Sequence, residues 1–127
     1  MFPTRSTPAV VLFLSICVVL AGCYETRGER ERTVAHGKKL FELHCCGCHN
    51  GRRLDLAKNP PNLAGIFRQH SLPSGAPATD AAVRSTILTG RSGIMPSFEG
   101  SLSDEQIKDI VRYLHSVGPE TNLCVIN

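Results

Sequence analysis

The apolar positions of this 127-residue chain recur at helical spacing in three segments, and no strand pattern stands out. The clearest helix is predicted from Ser103 to Val117, where the apolar stripe is Ile107, Ile110, Val111, Leu114 and Val117. Ser103 and Gln106 are spaced to form a capping box at its start. Gly118 and the proline after it end the helix.

Two further helices are predicted upstream. The first covers residues 33–48 with Thr33 as its N-cap, and its apolar side chains are Val34, Leu40, Phe41 and Leu43. Gly37 lies inside it and costs about 1 kcal/mol relative to alanine, so a close helix crossing is a physical reason to keep it. The second covers residues 79–88 and is capped by Thr79 or the aspartate after it.

Glycine and proline mark the loops between these helices, at residues 59–65, 70–79 and 90–98. The pattern predicts an all-α fold of three to five helices in one domain, residues 33–118. Residues 119–127 are predicted to form a C-terminal tail.

The first 22 residues have the composition of an export signal. Arg5 supplies the positive charge, and the apolar run at residues 9–20 is too short for a membrane span of roughly 20 residues. The four residues LAGC that end at Cys23 resemble the lipobox of bacterial lipoproteins, in which the chain is cleaved just before a cysteine that carries the lipid. The alternatives are ordinary signal cleavage with Cys23 as a bystander, or a retained anchor helix.

The lipobox predicts removal of residues 1–22 and a tether, residues 23–32, that begins at lipidated Cys23. The tether is polar and of mixed charge, and it is expected to be disordered near Gly28. Without Arg5 the chain has a net charge of about +2, and no basic tract is present, so nucleic acid is not an expected partner. A domain this short builds only a modest core.

The segment Cys45-Cys46-Gly47-Cys48-His49 has the Cys-x-x-Cys-His spacing of a c-type haem attachment site. Two thiols add across the two vinyl groups of one haem, and the adjacent histidine reaches the iron. On a helix, Cys45, Cys48 and His49 share one face.

The cysteines have three other interpretations. A thioredoxin-like motif follows a strand and opens a helix, whereas this one closes a helix. A structural zinc site needs a second Cys/His pair at ligand spacing, and His70, His115 and Cys124 are scattered. A purely structural or disulfide role for all the cysteines is the third alternative.

Met95 is the chain's one methionine besides the initiator, and it lies in a loop marked by glycine and proline. Methionine more often fills gaps in a core, which a loop gives little reason for. Beside a c-type haem, Met95 is predicted to ligate the iron opposite His49, a pairing that raises the reduction potential. The rival ligands are the other histidines, His36, His44, His70 and His115.

Export places the cysteines where disulfides persist. Cys17 belongs to the signal, Cys23 to the lipid site, and two thiols to the haem, so Cys46 and Cys124 remain. The hypothesis is that these two form a disulfide.

Taken in order, these features resemble the class I cytochrome c family over residues 34–117. The resemblance implies that Gly37, Phe41 and Tyr113 form the crossing of the first and last helices. It also implies that the Pro61 carbonyl orients the haem-ligating histidine, and that Met95 is the distal ligand. Cys46 departs from the family pattern, because it adds a third thiol between the two that hold the haem.

The expected function is that of a lipid-anchored carrier of single electrons with one covalent haem c, and not an enzyme. It would lie on the periplasmic side of a bacterial membrane, exchange electrons with redox proteins and have no small-molecule substrate. A basic rim that steers an acidic partner is a further hypothesis, against the alternative of an ordinary solvated surface. Its residues are Lys38, Lys39, Arg52, Arg53, Arg68, Arg84 and Arg91.

Two other functions remain open at this point. The chain is alternatively a haem subunit of a larger oxidase or dehydrogenase complex. The less favoured alternative is a haem enzyme or gas sensor whose iron has lost Met95 and keeps an open site.

Overall fold

A computed structural model describes residues 27–49 and 59–124 of the chain. The predicted signal peptide at 1–22, lipidated Cys23 and the first residues of the tether lie outside the described residues.

The described residues form four α-helices and no extended strand. Helix α1 covers residues 27–44, α2 is Cys46–His49, α3 is Asp80–Thr89, and α4 is Asp104–Ser116. A short 3-10 helix, Ile66–Arg68, lies between α2 and α3. The predicted all-α fold is confirmed. In the described part of the chain, no helix is both long and apolar enough to cross a bilayer.

The first helix differs from its prediction at both ends. It is already helical at residues 27–32, where Glu and Arg favour a helix and Arg27 pairs with Glu31 one turn later. The expectations of disorder near Gly28 and of an N-cap at Thr33 are therefore wrong. The compact domain nevertheless begins at Thr33, and residues up to Arg32 belong to a separate unit.

The first helix also ends earlier than predicted. The helix stops at residue 44, Cys45 lies in a turn, and α2 follows at once. The Cys45 carbonyl accepts from the Cys48 N–H at 3.1 Å and from the His49 N–H at 2.8 Å. The backbone thus tightens where two thiols and a histidine are presented together.

Helix α1 crosses α4 at closest approach where Gly37 faces the backbone of Asp109. A Cβ at Gly37 would overlap the Asp109 carbonyl and lie 3.0 Å from the Ile110 nitrogen. One turn on, the rings of Phe41 and Tyr113 pack 5.6 Å apart at a tilt of 56°. The crossing implied by the family resemblance is confirmed.

Both later helices start at the predicted caps. Ser103 Oγ accepts from the Gln106 N–H at 3.2 Å, and Gln106 Oε1 accepts from the Ser103 N–H at 2.8 Å, which completes the capping box. For α3, Thr79 and not Asp80 is the cap, since its hydroxyl accepts from the Ala82 N–H at 3.3 Å.

The core is a single cluster of buried apolar side chains. Phe41, Ile66, Ile107 and Ile110 are its largest fully buried members. Leu123 and Cys124 also belong to it, at 4% and 7% exposure. In the predicted tail, residues 119–122 are exposed, and Leu123 and Cys124 are packed into the domain.

Candidate functional site

The two thiols predicted to hold a haem are the free cysteines of the described residues. Cys45 and Cys48 are half-buried and carry no disulfide. Burial, with a smaller effect of the neighbouring Cys48 charge, raises the pKa of Cys45 to about 12. Both side chains are therefore available, in one tight turn, for covalent bonds to a shared group.

His49 is held by a proline carbonyl across the site. Its Nδ1 lies 2.8 Å from the carbonyl oxygen of Pro61. A carbonyl can only accept, so Nδ1 carries the proton and donates it, and Nε2 keeps its lone pair for a metal. Iron-ligating histidines are commonly oriented in this way.

The loop that supplies Pro61 is fixed on its C-terminal side. Asn62 Oδ1 accepts from the Ala64 N–H at 3.0 Å, which makes a local turn. Gly65 follows at φ +67°, and a Cβ there would lie 2.9 Å from the Pro119 nitrogen. The loop is therefore seated against the turn after α4, and a side chain at position 65 would lift it away.

Met95 is presented by a separate loop that is fastened to the end of α3. Arg91 and Met95 exchange backbone hydrogen bonds of 2.8 and 2.9 Å, which close the loop. Gly90 precedes it at φ 65° and ψ −164°, and a Cβ there would lie 2.6 Å from the Met95 carbonyl oxygen. The Met95 side chain is half-buried against the core.

Beyond Met95, the loop returns to the same helix. Ser97 Oγ donates to the Leu88 carbonyl at 2.6 Å, and the Phe98 N–H donates to the Ile87 carbonyl at 3.1 Å. The structure thus joins Cys45, Cys48, His49 and Pro61 by direct contacts, and holds Met95 on an independent, constrained loop.

Three of the rival histidines have other partners. His36 Nδ1 lies 2.9 Å from Asp109 Oδ2, and His115 donates from Nε2 to Asp80 at 2.7 Å while stacking on Phe67 at 3.7 Å. His44 lies edge-on to Phe98 at 6.2 Å. His70 is exposed in the loop before α3. These placements favour Met95 as the sixth ligand over His36 and His115.

Cys46 and Cys124 form the hypothesised disulfide, with Cα atoms 5.5 Å apart. Both side chains are buried, at 6% and 7% exposure. The hypothesised pairing is confirmed, and the third thiol of the motif is engaged in it.

Sequence reasoning missed two features of the site. Gly90 is the first, and its signal was a glycine placed just before a loop with a chemically distinctive residue. The second is a pair of exposed large apolar side chains, Leu43 at 75% and Ile94 at 47% exposure. Each lies within two residues of a predicted site residue in the sequence, Cys45 or Met95.

The proposed basic rim is partly neutralised. Lys38 lies 3.8 Å from Glu42, and Arg84 lies 2.7 Å from Asp104. The hydrogen bond from Arg84, with its charge, lowers the pKa of Asp104. Arg52 and Arg53 lie outside the described residues.

The donor set fits a covalently attached haem. It consists of two free thiols in one turn, an imidazole with Nε2 available, and a half-buried thioether on a constrained loop. Within residues 27–49 and 59–124, no group of three or more His, Cys, Asp or Glu side chains is arranged to hold a metal ion.

Comparison with known proteins points to the same chemistry. The family model described as cytochrome c oxidase, cbb3-type, subunit III matches residues 32–114. The cbb3-type oxidase subunit FixP of Bradyrhizobium diazoefficiens is 34% identical over 66% of this chain and 27% of its own length. Cytochrome c6 of Synechocystis is 32% identical over 64% of this chain and 62% of its own length.

A third relative, cytochrome c6 of Leptolyngbya boryana, is 30% identical over 63% of this chain and 87% of its own length. The chain therefore spans about a quarter of the oxidase subunit and under two thirds of the Synechocystis carrier. No solved structure matches the chain.

Proposed function

We propose that this chain is a lipid-anchored carrier of single electrons between periplasmic or membrane redox partners. It belongs to the cytochrome c family described as cytochrome c oxidase, cbb3-type, subunit III. The resemblance to class I cytochromes c is confirmed by the family match and by the relatives named cytochrome c6. Members of this family carry covalently attached haem c and transfer electrons. The anchor, the partners and the ligand set are the parts that we propose.

The observation that carries the ligand assignment is the 2.8 Å contact between His49 Nδ1 and the Pro61 carbonyl. It fixes the imidazole tautomer and leaves the Nε2 lone pair free to bind a metal. Cys45 and Cys48 would hold the haem by thioether bonds. His49 and Met95 would be its two axial ligands.

The bound haem would supply an iron that changes its charge by one electron. The protein's part is to keep the iron's surroundings the same in both states. His49 is held by Pro61, and Met95 is held by the backbone pairing with Arg91, so neither ligand needs to move. Two protein ligands on the iron also leave no open position for a substrate, which is the arrangement of a carrier and not of a catalyst.

The test is an optical spectrum of the purified holoprotein, oxidised and reduced, with and without carbon monoxide. We expect a low-spin spectrum that carbon monoxide does not change in the native protein, and carbon monoxide binding in Met95→Ala. His70→Ala is the matched control, because it removes an exposed rival ligand, and it should behave as the native protein. Carbon monoxide binding to the native protein would instead indicate an open-site enzyme or gas sensor.

We place the carrier on the periplasmic side of a bacterial membrane, anchored through a lipid on Cys23. The support is the lipobox sequence that ends at this residue. Mass spectrometry of the N-terminal peptide of the native, membrane-bound holoprotein should show Cys23 as the first residue, with a lipid attached. If the native protein is already soluble, or if Cys23 carries no lipid, the anchor is not this lipid.

A second candidate is a haem subunit of a larger oxidase. The relatives named as cbb3-type oxidase subunits favour it, since several of them match this domain. Co-purification after mild solubilisation of the membrane distinguishes the two functions. A stable complex with an oxidase supports the subunit, whereas a monomeric protein that shuttles electrons supports the free carrier.

A further inference from the structure

The haem motif of this chain contains one thiol too many. Cys45, Cys46 and Cys48 lie within four positions, whereas a haem has two vinyl groups to attach. Three free thiols in one exported turn could pair with two vinyl groups in three ways, and only the pair Cys45 and Cys48 has the required spacing. The chain therefore needs a way to exclude Cys46.

The structure removes Cys46 from the competition by burying it. Cys46 is 6% exposed, whereas Cys45 and Cys48 beside it are half-buried free thiols. Its sulfur is bonded to Cys124, which lies 78 positions away in sequence and is itself 7% exposed. The motif thus contains two half-buried free thiols, Cys45 and Cys48, and one buried sulfur in a disulfide, Cys46.

The segment after α4 makes further contacts that hold Cys124 beside Cys46. Cys46 Sγ lies 3.7 Å from the Leu123 carbonyl oxygen, and Cys124 Sγ lies 3.9 Å from the His49 carbonyl oxygen. Leu123 is 4% exposed, and the Cys124 N–H donates to Asn122 Oδ1 at 3.3 Å. The chain after α4 therefore folds back and covers the inner side of the haem motif.

We propose that the Cys46–Cys124 disulfide determines the selectivity of haem attachment. It forms before the thioether bonds and leaves Cys45 and Cys48 as the only free thiols of the motif. This inference rests on the proposed function, because it assumes that the haem is attached through these two residues.

Two reactions are involved, and both balance. Cys46 and Cys124 each lose a proton and together lose two electrons to a protein disulfide oxidant of the exported compartment, which becomes a dithiol. Cys45 and Cys48 then each add across one vinyl group. In each addition a sulfur–carbon bond forms, the S–H bond and the carbon–carbon π bond break, and the hydrogen goes to the other vinyl carbon, with no oxidant needed.

The test compares two single variants that lack the disulfide equally. Cys124→Ser leaves Cys46 as a free thiol in the motif, whereas Cys46→Ser leaves only the distant Cys124. Each is produced as the full chain with haem attachment in the cell. Peptide mapping by mass spectrometry then gives the fraction of chain that carries thioethers at both Cys45 and Cys48.

We expect Cys46→Ser to match the native protein in that fraction. In Cys124→Ser the fraction should fall by up to about threefold, which is the limit reached if the freed Cys46 reacts as readily as the two correctly spaced thiols. The remainder should carry haem bonded through Cys46. If the two variants give the same fraction, whether normal or reduced, the disulfide does not set selectivity and the proposal is wrong.

The same experiment separates this inference from the proposed function. If the native protein carries no covalent haem at Cys45 and Cys48, the proposed function itself fails. If the native protein carries it and the variants do not differ, only the selectivity proposal fails.

Discussion

Gly90→Ala is the substitution that tests most directly how the loop holds Met95. Gly90 has φ 65° and ψ −164°, a region that residues with a Cβ hardly populate. An alanine Cβ there would lie 2.6 Å from the Met95 carbonyl oxygen and 2.6 Å from the Pro96 carbonyl carbon. Ordinary contact begins at 3.4 Å, so the loop has to move by about 0.8 Å.

The cost follows from these two effects. Backbone strain of this kind is worth about 1–3 kcal/mol, and the overlap adds to it. If the conformation in which Met95 ligates the iron is destabilised by about 2 kcal/mol, the population of the state with Met95 detached rises about 30-fold. The apparent carbon monoxide affinity of the reduced holoprotein should rise by the same factor, because carbon monoxide binds only where Met95 has left.

Gly93→Ala is the matched control. Gly93 lies in the same loop at φ +68°, but a Cβ there meets nothing within 4 Å. The control therefore retains backbone strain and lacks the overlap. Carbon monoxide titration of both variants decides the question. If Gly90→Ala and Gly93→Ala have the same affinity, the contact between position 90 and the Met95 backbone does not hold the ligand.

Two further predictions concern the crossing and the thiols. Gly37→Ala should lower the free energy of unfolding by about 1–3 kcal/mol, because its Cβ overlaps the Asp109 carbonyl, although alanine favours a helix by about 1 kcal/mol. Gly28→Ala in the same helix is the control, and it should not lower the free energy of unfolding, because a Cβ at Gly28 meets nothing within 4 Å. Equal losses of this free energy in denaturant titrations of the two variants would contradict the reasoning. In the folded chain before haem attachment, alkylation of Cys45 should rise with pH toward about 12, whereas in denaturant it should rise near its usual pKa of 9.0. Because the folded state keeps the proton, the contribution of the Cys45 thiol to stability is present below pH 9.0 and is lost as the pH rises toward 12. Identical alkylation profiles of the folded and the denatured chain would refute the raised pKa.

Local pattern predicted most of the helices and misplaced both ends of the first one. The capping box at Ser103 and Gln106 formed as expected, because both partners lie within one turn. Helix α1 includes residues 27–32, which the pattern does not predict, because a polar segment of mixed charge also indicates disorder. Their Glu and Arg content also favours a helix, and composition alone does not decide between the two.

In the site, as in the helices, features that depend on neighbouring residues can be predicted from the sequence, and most contacts between distant residues cannot. The spacing of Cys45, Cys48 and His49 is a property of four consecutive peptide units, so the sequence alone predicts that one group is bound by all three. The ligand role of Met95 is still a prediction from its position in a glycine- and proline-marked loop. The glycine before the Met95 loop is visible in the sequence, but the close approach of position 90 to the Met95 backbone is not, because it depends on where the loop returns.

By itself, the sequence predicted the helical class, the caps of α3 and α4, the spacing of the attachment motif and the pairing of Cys46 with Cys124. These features depend on neighbouring residues or on simple counting. Only the tertiary structure decided that Gly37 touches the backbone of Asp109 and that His49 donates to Pro61. The physical reason is that both contacts join segments far apart in the chain, so they arise from the packing of the whole core and not from any local preference.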